Sequence, residues 1–490
     1  METVDVAIIG SGFGGLGMAI ELKKSSTSSF VILERAQSVG GTWRENTYPG
    51  AECDVMSVLY SYSFYPNVWS KKYPAQAEIL AYIEDVVDAF GLRGNLRFDR
   101  DIESVTYDDV SKRWTVRSAN GDEVNARVVV SSVGQLNRPA YPHVDGFGSF
   151  AGPAFHSALW DHNVDLVGKR VGVIGTGASA IQFVPQVAKV ASQTTIFQRS
   201  APYVLPKENP AISARRKKLQ GTFPQSQLFA RAKTFALGEF LGLGILGNKK
   251  IRQRLKAMCL ASMESIVQDP VLREQCTPDY EVGCKRILFA DEWYQALIKE
   301  HVALETQAIA SITTTGVTTS DGAHHDFDVL IYGTGFQTLD FLQPMTVIGR
   351  DGVTLEEQWN NGASAYRGVA VPGFPNFFML YGPNTNLGSN SIIYMLESQA
   401  RYVASLLEKA RSAGQGVLEV RPTAQRSWDE MIAEFSGSTA WISGCHSWYT
   451  SNGRNTNNWP RATWRYRQMM KHVDLIDFDV RPSPALETSV

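Results

Sequence analysis

The sequence predicts an α/β protein in which two Rossmann-like dinucleotide-binding domains are joined to a helical insertion. Three observations carry that reading. A run of β-formers near the N-terminus leads through a glycine-rich turn into a helical stretch, the same arrangement recurs 165 residues later, and residues from about 213 to 280 carry a helical pattern.

The composition excludes several other classes. With 490 residues, 44% hydrophobic and 20% charged, the chain is globular with room for several domains, not a disordered chain or a disulfide-stapled peptide. Lys and Arg number 47 against 49 Asp and Glu, for a net charge of -2. That balance favours neither a nucleic-acid backbone nor an anionic membrane as partner. No apolar run reaches the roughly 18 residues that span a bilayer. The longest, Phe235 to Gly247, is broken by Glu239 and four glycines and reads as a buried or interfacial helix. The cysteines Cys53, Cys259, Cys276, Cys284 and Cys445 show no CxxC spacing, which speaks against a zinc site and a disulfide framework. The chain opens on a strand-like run with no basic n-region or cleavage site, so a cytoplasmic location is expected.

The first unit begins at Val4 to Ile9, nearly continuous in β-formers as suits a strand buried on both faces. It runs into Gly10-Ser11-Gly12-Phe13-Gly14-Gly15 and a helical stretch to Lys24. Gly10 suits the tight turn, Gly12 the approach of a pyrophosphate, and Gly15 close packing of helix on strand. A second strand, Phe30 to Leu33, ends at Glu34, whose carboxylate can accept both hydroxyls of a plain ribose and would repel a 2′-phosphate.

The second unit runs from Arg170 to Ile174 into Gly175-Thr176-Gly177-Ala178-Ser179-Ala180 and a helix through Val187, with Ala180 in place of the last glycine. Its second strand, Thr194 to Phe197, is followed by Arg199, which stands 24 residues after Gly175 just as Glu34 stands 24 after Gly10. A guanidinium there can pair with a 2′-phosphate, a contact worth about 1.5–3 kcal/mol, although a plain surface Arg is the alternative. The opposite charges at the two tips assign FAD to the first unit and NADPH to the second, with hydride passing from nicotinamide to flavin.

Between and beyond these units, an aromatic-rich loop covers Trp43 to Tyr73, a helix is expected around Glu78 to Phe90, and strands at Ile102–Tyr107, Trp114–Ser118 and Val128–Ser132. Two strands end at glycines, at Ser132 to Gln135 and at Phe327 to Phe336; each tip faces a cofactor or is a simple turn. Gly382-Pro383-Asn384-Thr385-Asn386 precedes a helix from Ile392 to Leu407. The expected division is 1–145, first part of the FAD-binding domain; 146–212, first part of the NADP-binding domain; 213–280, the helical insertion over a pocket; 281–335, second part of the NADP-binding domain; and 336–490, second part of the FAD-binding domain with pocket loops. Disulfide reduction needs a thiol pair beside the flavin, and the spacing provides none.

Two further stretches carry a family resemblance. Gly41-Thr42-Trp43, four residues, Tyr48-Pro49-Gly50, three residues and Asp54 form one; Phe150-Ala151-Gly152, three residues, His156, three residues and Trp160-Asp161 form the other. In both, the chain resembles the class B flavoprotein monooxygenases, and within them the type I Baeyer–Villiger monooxygenases. The Trp-Asp ending sets it apart from relatives that oxygenate nitrogen or sulfur, which remain the alternative. The resemblance implies insertion of one oxygen atom beside a ketone carbonyl, giving an ester or lactone through an FAD C4a-peroxide, with a small ketone and O2 as partners. It also implies roles. Thr42, Trp43, Arg44, Glu45, Tyr60 and Ile102 are similar to flavin contacts, and Glu52, Cys53 and Asp54 to a segment reaching both cofactors. Thr176, Gly177, Ala178, Ser179, Ala180, Ile181 and Gln182, with Arg199, Ser200 and Lys285, are similar to the nicotinamide cofactor's site. Arg286 occupies the place of the essential arginine, with Asp54 to orient it; a phosphate or surface partner is the plainer role. Trp448 is similar to an aromatic that closes over the nicotinamide and substrate, and His156 to a hinge residue between domains rather than a base.

Overall fold

The computed structural model describes residues 2–25, 28–414, 416–444, 449–451 and 453–482. The strand Glu2–Ile9, apolar and buried on both faces from Val6 onward, lies inside a sheet between the parallel strands Phe30–Leu33 and Glu123–Ser131. Leu96–Arg97 extends the sheet beyond Phe30–Leu33. On the other side, Ile102–Asp108 and Arg113–Ser118 form an antiparallel meander that pairs with the first half of Glu123–Ser131. The second half of that long strand pairs instead with Phe377–Met379, so the chain rejoins its first sheet late in the sequence. The helix Phe13–Ser25 packs on this sheet and against the helix Ile392–Ser412.

A second sheet is wholly parallel, in the order Val302–Glu305, Gln193–Phe197, Arg170–Ile174, Val329–Tyr332 and Ala154–His156. Its central strand Arg170–Ile174 is buried over its last four residues, the reason the sequence there reads as an unbroken apolar run. The crossover helix spans Ala180–Val187. It starts later after its glycine turn than the helix Phe13–Ser25 does, because Gly177 to Ser179 are still in the turn. A small antiparallel sheet, Ile309–Ile312, Gly316–Thr319 and His324–Asp326, precedes the strand Val329–Tyr332. Strands this short leave no periodic signal in the sequence.

The insertion holds the helices Ala214–Thr222, Ser226–Ile245, Lys249–Ile266 and Pro270–Gln275. Three of them start on cap residues: the side chains of Ser213, Asn248 and Asp269 accept the N–H of Arg216, Ile251 and Leu272 at 3.4, 3.1 and 2.7 Å. Its neck is closed by Val204–Leu205 pairing with Leu288–Phe289. Two segments connect the sheets, and they run against each other: the Ala140 N–H donates to Gly335 O at 2.9 Å and the Gln337 N–H to Arg138 O at 2.9 Å. Cys53, Cys259 and Cys276 are free and buried, whereas Cys284 is disulfide-bonded, contrary to the reading from spacing. Spacing along a chain does not report which thiols meet in space.

Candidate active site

The two glycine turns are built alike. Gly10 has φ +100° and a Cβ there would lie 2.6 Å from Ser132 O; Gly175 has φ +108° and a Cβ would lie 2.4 Å from Gly333 O. Only glycine fits either place. The strand tips near 132 and 333 therefore press against the glycine turns. At the second glycine of each turn the space is open. A Cβ on Gly12 would meet only Gly41 Cα, at 3.8 Å, and one on Gly177 only Gly333 O, at 3.9 Å. Both are cradles that a pyrophosphate can enter. Gly15 faces inward, its absent Cβ leaving room for Gly10 O.

Glu34 is buried at the end of its strand. Its Oε2 accepts the Ser11 N–H at 3.0 Å and Ser11 Oγ at 2.6 Å, and its Oε1 accepts the Ala36 N–H and Arg44 Nη1, both at 3.1 Å. The carboxylate is thus held at the lip of the first cradle. Arg44 also bonds Glu45 within the short helix Thr42–Glu45. Trp43 Nε1 donates to Tyr60 Oη at 3.0 Å, and Phe13 and Trp43 each meet the Tyr60 ring edge-on at 5.5 Å. These three aromatics form one wall. Ile102 does not join them: it packs with Ala7, Ile9 and Leu33, on the opposite face of the sheet from Phe13 and Trp43.

Asp54 and Arg286 meet across the molecule. Arg286 Nε donates to Asp54 Oδ2 at 2.7 Å and Nη2 to Oδ1 at 2.9 Å, a bidentate pair that leaves both side chains partly exposed. Burial pushes the Asp54 carboxyl up, but Arg286 outweighs it and holds the group below the usual carboxylate range. Asp54 in turn raises Arg286. Tyr381 and Tyr449 act electrostatically on Arg286, and burial pushes the Tyr449 hydroxyl up to about 12. Cys53 beside this pair is a buried free thiol, raised by burial, which disfavours its thiolate.

Glu52 faces a different set. Its Oε2 accepts from Lys207 Nζ at 2.9 Å and Asn209 Nδ2 at 3.1 Å. Lys207 is only 4% exposed and also acts electrostatically on Asp54. Lys207 lies in a loop with no motif around it, so no sequence signal marks it. Asn457 is a fully buried amide with neither side-chain atom partnered among the described residues.

Gln182 bolts the second unit to the first rather than standing open. Its Nε2 donates to Glu52 O at 3.0 Å, while its Oε1 accepts the Glu52 N–H at 3.2 Å and Tyr48 Oη at 3.1 Å. Gly50 sits at φ +82° where a Cβ would come within 2.8 Å of Gln182 O. The Tyr48-Pro49-Gly50 motif is therefore an interdomain contact. Ala180 and Ile181 are buried in the core of the second unit, with Ala178 exposed and Ser179 partly exposed at its turn. Thr176 Oγ1 donates to Ser200 O at 3.2 Å, Lys285 Nζ donates to Ser200 Oγ at 2.7 Å, and Arg199 is exposed at the strand tip. Burial, then the nearby Arg199 charge, lowers Lys285. Two cations thus crowd one spot, an arrangement that a doubly charged phosphate relieves.

His156 lies under the paired connections. Its Nδ1 accepts the Ala158 N–H at 3.1 Å, and its ring meets Tyr141 and Phe336 edge-on at 5.5 and 5.8 Å. Burial lowers it to about 4, against a smaller opposing pull from the Gly335 backbone. Trp160, at the end of the same motif, packs edge-on against Phe155 at 5.2 Å and against Phe183 at 5.4 Å. Trp448 lies outside the described residues. Among the described residues no group of His, Cys, Asp or Glu is arranged to hold a metal.

Known proteins share this architecture. Residues 7–220 match a family described as pyridine nucleotide-disulphide oxidoreductase. A Baeyer–Villiger monooxygenase of Streptomyces coelicolor is 41% identical over 99% of this chain and 94% of its own length, and one of Pseudomonas aeruginosa 39% over 98% and 92%. Among solved structures, an oxidized steroid monooxygenase bound to NADP superimposes with a TM-score of 0.88 at 33% identity, covering 98% of this chain and 99% of that one. A closed cyclohexanone monooxygenase gives 0.90 at 28% identity, covering 98% and 100%.

Proposed function

The chain belongs to the Baeyer–Villiger monooxygenases, and on that footing we propose that it uses NADPH and O2 to insert one oxygen atom beside a ketone carbonyl, giving an ester or lactone. FAD, once bound and reduced by NADPH, supplies the activated oxygen. The open cradle at Gly12 with Glu34 at its lip fits FAD; the cradle at Gly177 with Arg199 and Lys285 fits NADPH. Trp448 is assigned to cover the nicotinamide. We infer domain segments 1–145, 146–212, 213–280, 281–335 and 336–490, and a cytoplasmic location.

The observation that carries the reading is the Arg286–Asp54 pair. Attack on a ketone places negative charge on the carbonyl oxygen, and a fixed guanidinium beside it lowers that cost. Asp54 fixes the plane of the guanidinium and, held below the usual carboxylate range, stays ionised at neutral pH. Lys207, buried against Glu52, supports that segment from behind. His156, neutral and enclosed under the connections, positions the domains and takes no proton from substrate.

Arg286→Ala should keep its flavin absorbance yet lose about 10²–10³ in ester formation, equivalent to about 2.7–4 kcal/mol, measured by product mass alongside NADPH consumption. Undiminished ester yield would remove Arg286 from the reaction. If the unaltered protein leaves linear, cyclic and aryl ketones untouched but oxygenates an amine or sulfide, nitrogen or sulfur oxygenation replaces this reading.

A further inference from the structure

The helix Ser226–Ile245 carries an apolar stripe on its outer face. Two of its charged residues face the protein: Arg231 donates to Val58 O at 2.9 Å and Ser61 O at 3.0 Å, and Glu239 accepts from the Thr463 N–H and Asn390 Nδ2, both at 3.0 Å. Phe235 packs on Tyr394 and Ile245 is buried, but other apolar residues face outward. Phe229 is 79% exposed and Phe240 52%, with Leu228, Leu237 and Leu243 also exposed. Phe229, Ala232, Ala236, Phe240 and Leu243 follow one another at three- and four-residue steps, one continuous stripe along the helix. Phe223, in the turn before it, is exposed as well. Such a face is unfavourable in water and marks a contact surface.

Charge says what the contact is. Residues 213–256 hold eleven Lys and Arg against one acidic residue, Glu239, in a chain whose net charge is -2. Glu239 is the residue turned inward. Arg215, Arg216 and Lys218 are exposed ahead of the stripe, and Lys249, Lys250 and Arg254 beyond it. Two copies of so basic a face repel each other, whereas apolar side chains set between cations match acyl chains beneath anionic headgroups. No helix among the described residues is long and apolar enough to cross a membrane, so the geometry is that of a helix lying in the interface.

We propose that the insertion docks this cell-side enzyme on an anionic lipid surface, through the stripe centred on Phe229 and Phe240 and the basic groups at its two ends.

The test is flotation of the flavin-loaded protein with vesicles of phosphatidylcholine, with and without phosphatidylglycerol. We expect binding to the anionic vesicles only, weakening steeply as salt rises. Lys249→Ala with Lys250→Ala should weaken it by roughly 30-fold, and Phe229→Glu with Phe240→Glu should abolish it; flavin absorbance and melting temperature should stay unchanged in both variants. Absence of flotation, equal binding to neutral vesicles, or unaltered binding of the Phe variant overturns the proposal. So does a dimer in sedimentation velocity that Phe229→Glu with Phe240→Glu dissolves, which would give the face to a second copy.

Discussion

Arg199 and His156 show how differently single residues declare themselves. Arg199 was legible because an acid and a base stand at the same offset after two similar turns, and the structure leaves it exposed at a strand tip beside Ser200 and Lys285. Arg199→Ala is expected to raise the KM for NADPH by about 10- to 150-fold while scarcely altering that for NADH. Equal effects would mean that the 2′-phosphate is held elsewhere. His156 was legible as a residue type but not as a titrating group, since its burial comes from Tyr141 and Phe336, distant in sequence. Its folded pKa is about 4 against an ordinary 6.5, so between those values the unfolded chain binds the extra proton and stability rises with pH. Stability should therefore fall as pH drops from 6.5 towards 4, by on the order of 3 kcal/mol from this group. His156→Asn, which can keep the bond to the Ala158 N–H, should flatten the dependence of Tm on pH in that window; an unchanged slope would assign it to other groups.

Elements were read well where periodicity is strong. The strands Phe30–Leu33 and Arg170–Ile174 fall where sequence places them, because a strand buried on both faces must be apolar throughout. The three short strands between Ile309 and Asp326 escaped notice because strands of three or four residues leave little alternation to detect. The loop holding Tyr48 and Gly50 was recognised as a motif, yet its contact with the helix Ala180–Val187 belongs to the fold. Gly50→Ala would set a Cβ against Gln182 O in a left-handed backbone conformation, at a cost of about 1–3 kcal/mol. We expect a lower Tm and NADPH oxidation that outruns ester formation; a variant with native Tm and tight coupling would show that the contact yields freely.

At the scale of the molecule, two sheets are linked by two connections that are themselves paired, a natural place for domains to pivot. Ala140→Pro deletes the N–H that bonds Gly335 O. It should retain FAD and lower kcat several-fold through slower domain rearrangement; unaltered kcat would locate the pivot elsewhere. Whole-chain charge, nearly balanced, concealed a basic insertion with an apolar outer face, since an average over the chain carries no position. What could be read without coordinates was the pair of nucleotide folds, their opposite tip charges and the family motifs, because each rests on local spacing and on side chains that act where the strand ends. The Arg286–Asp54 pair could be named from its motifs but not built, and Lys207, the Gln182 bolt and the outward stripe were beyond reach, because contacts between residues far apart in sequence, and the side of a helix that meets solvent, exist only once the chain has packed.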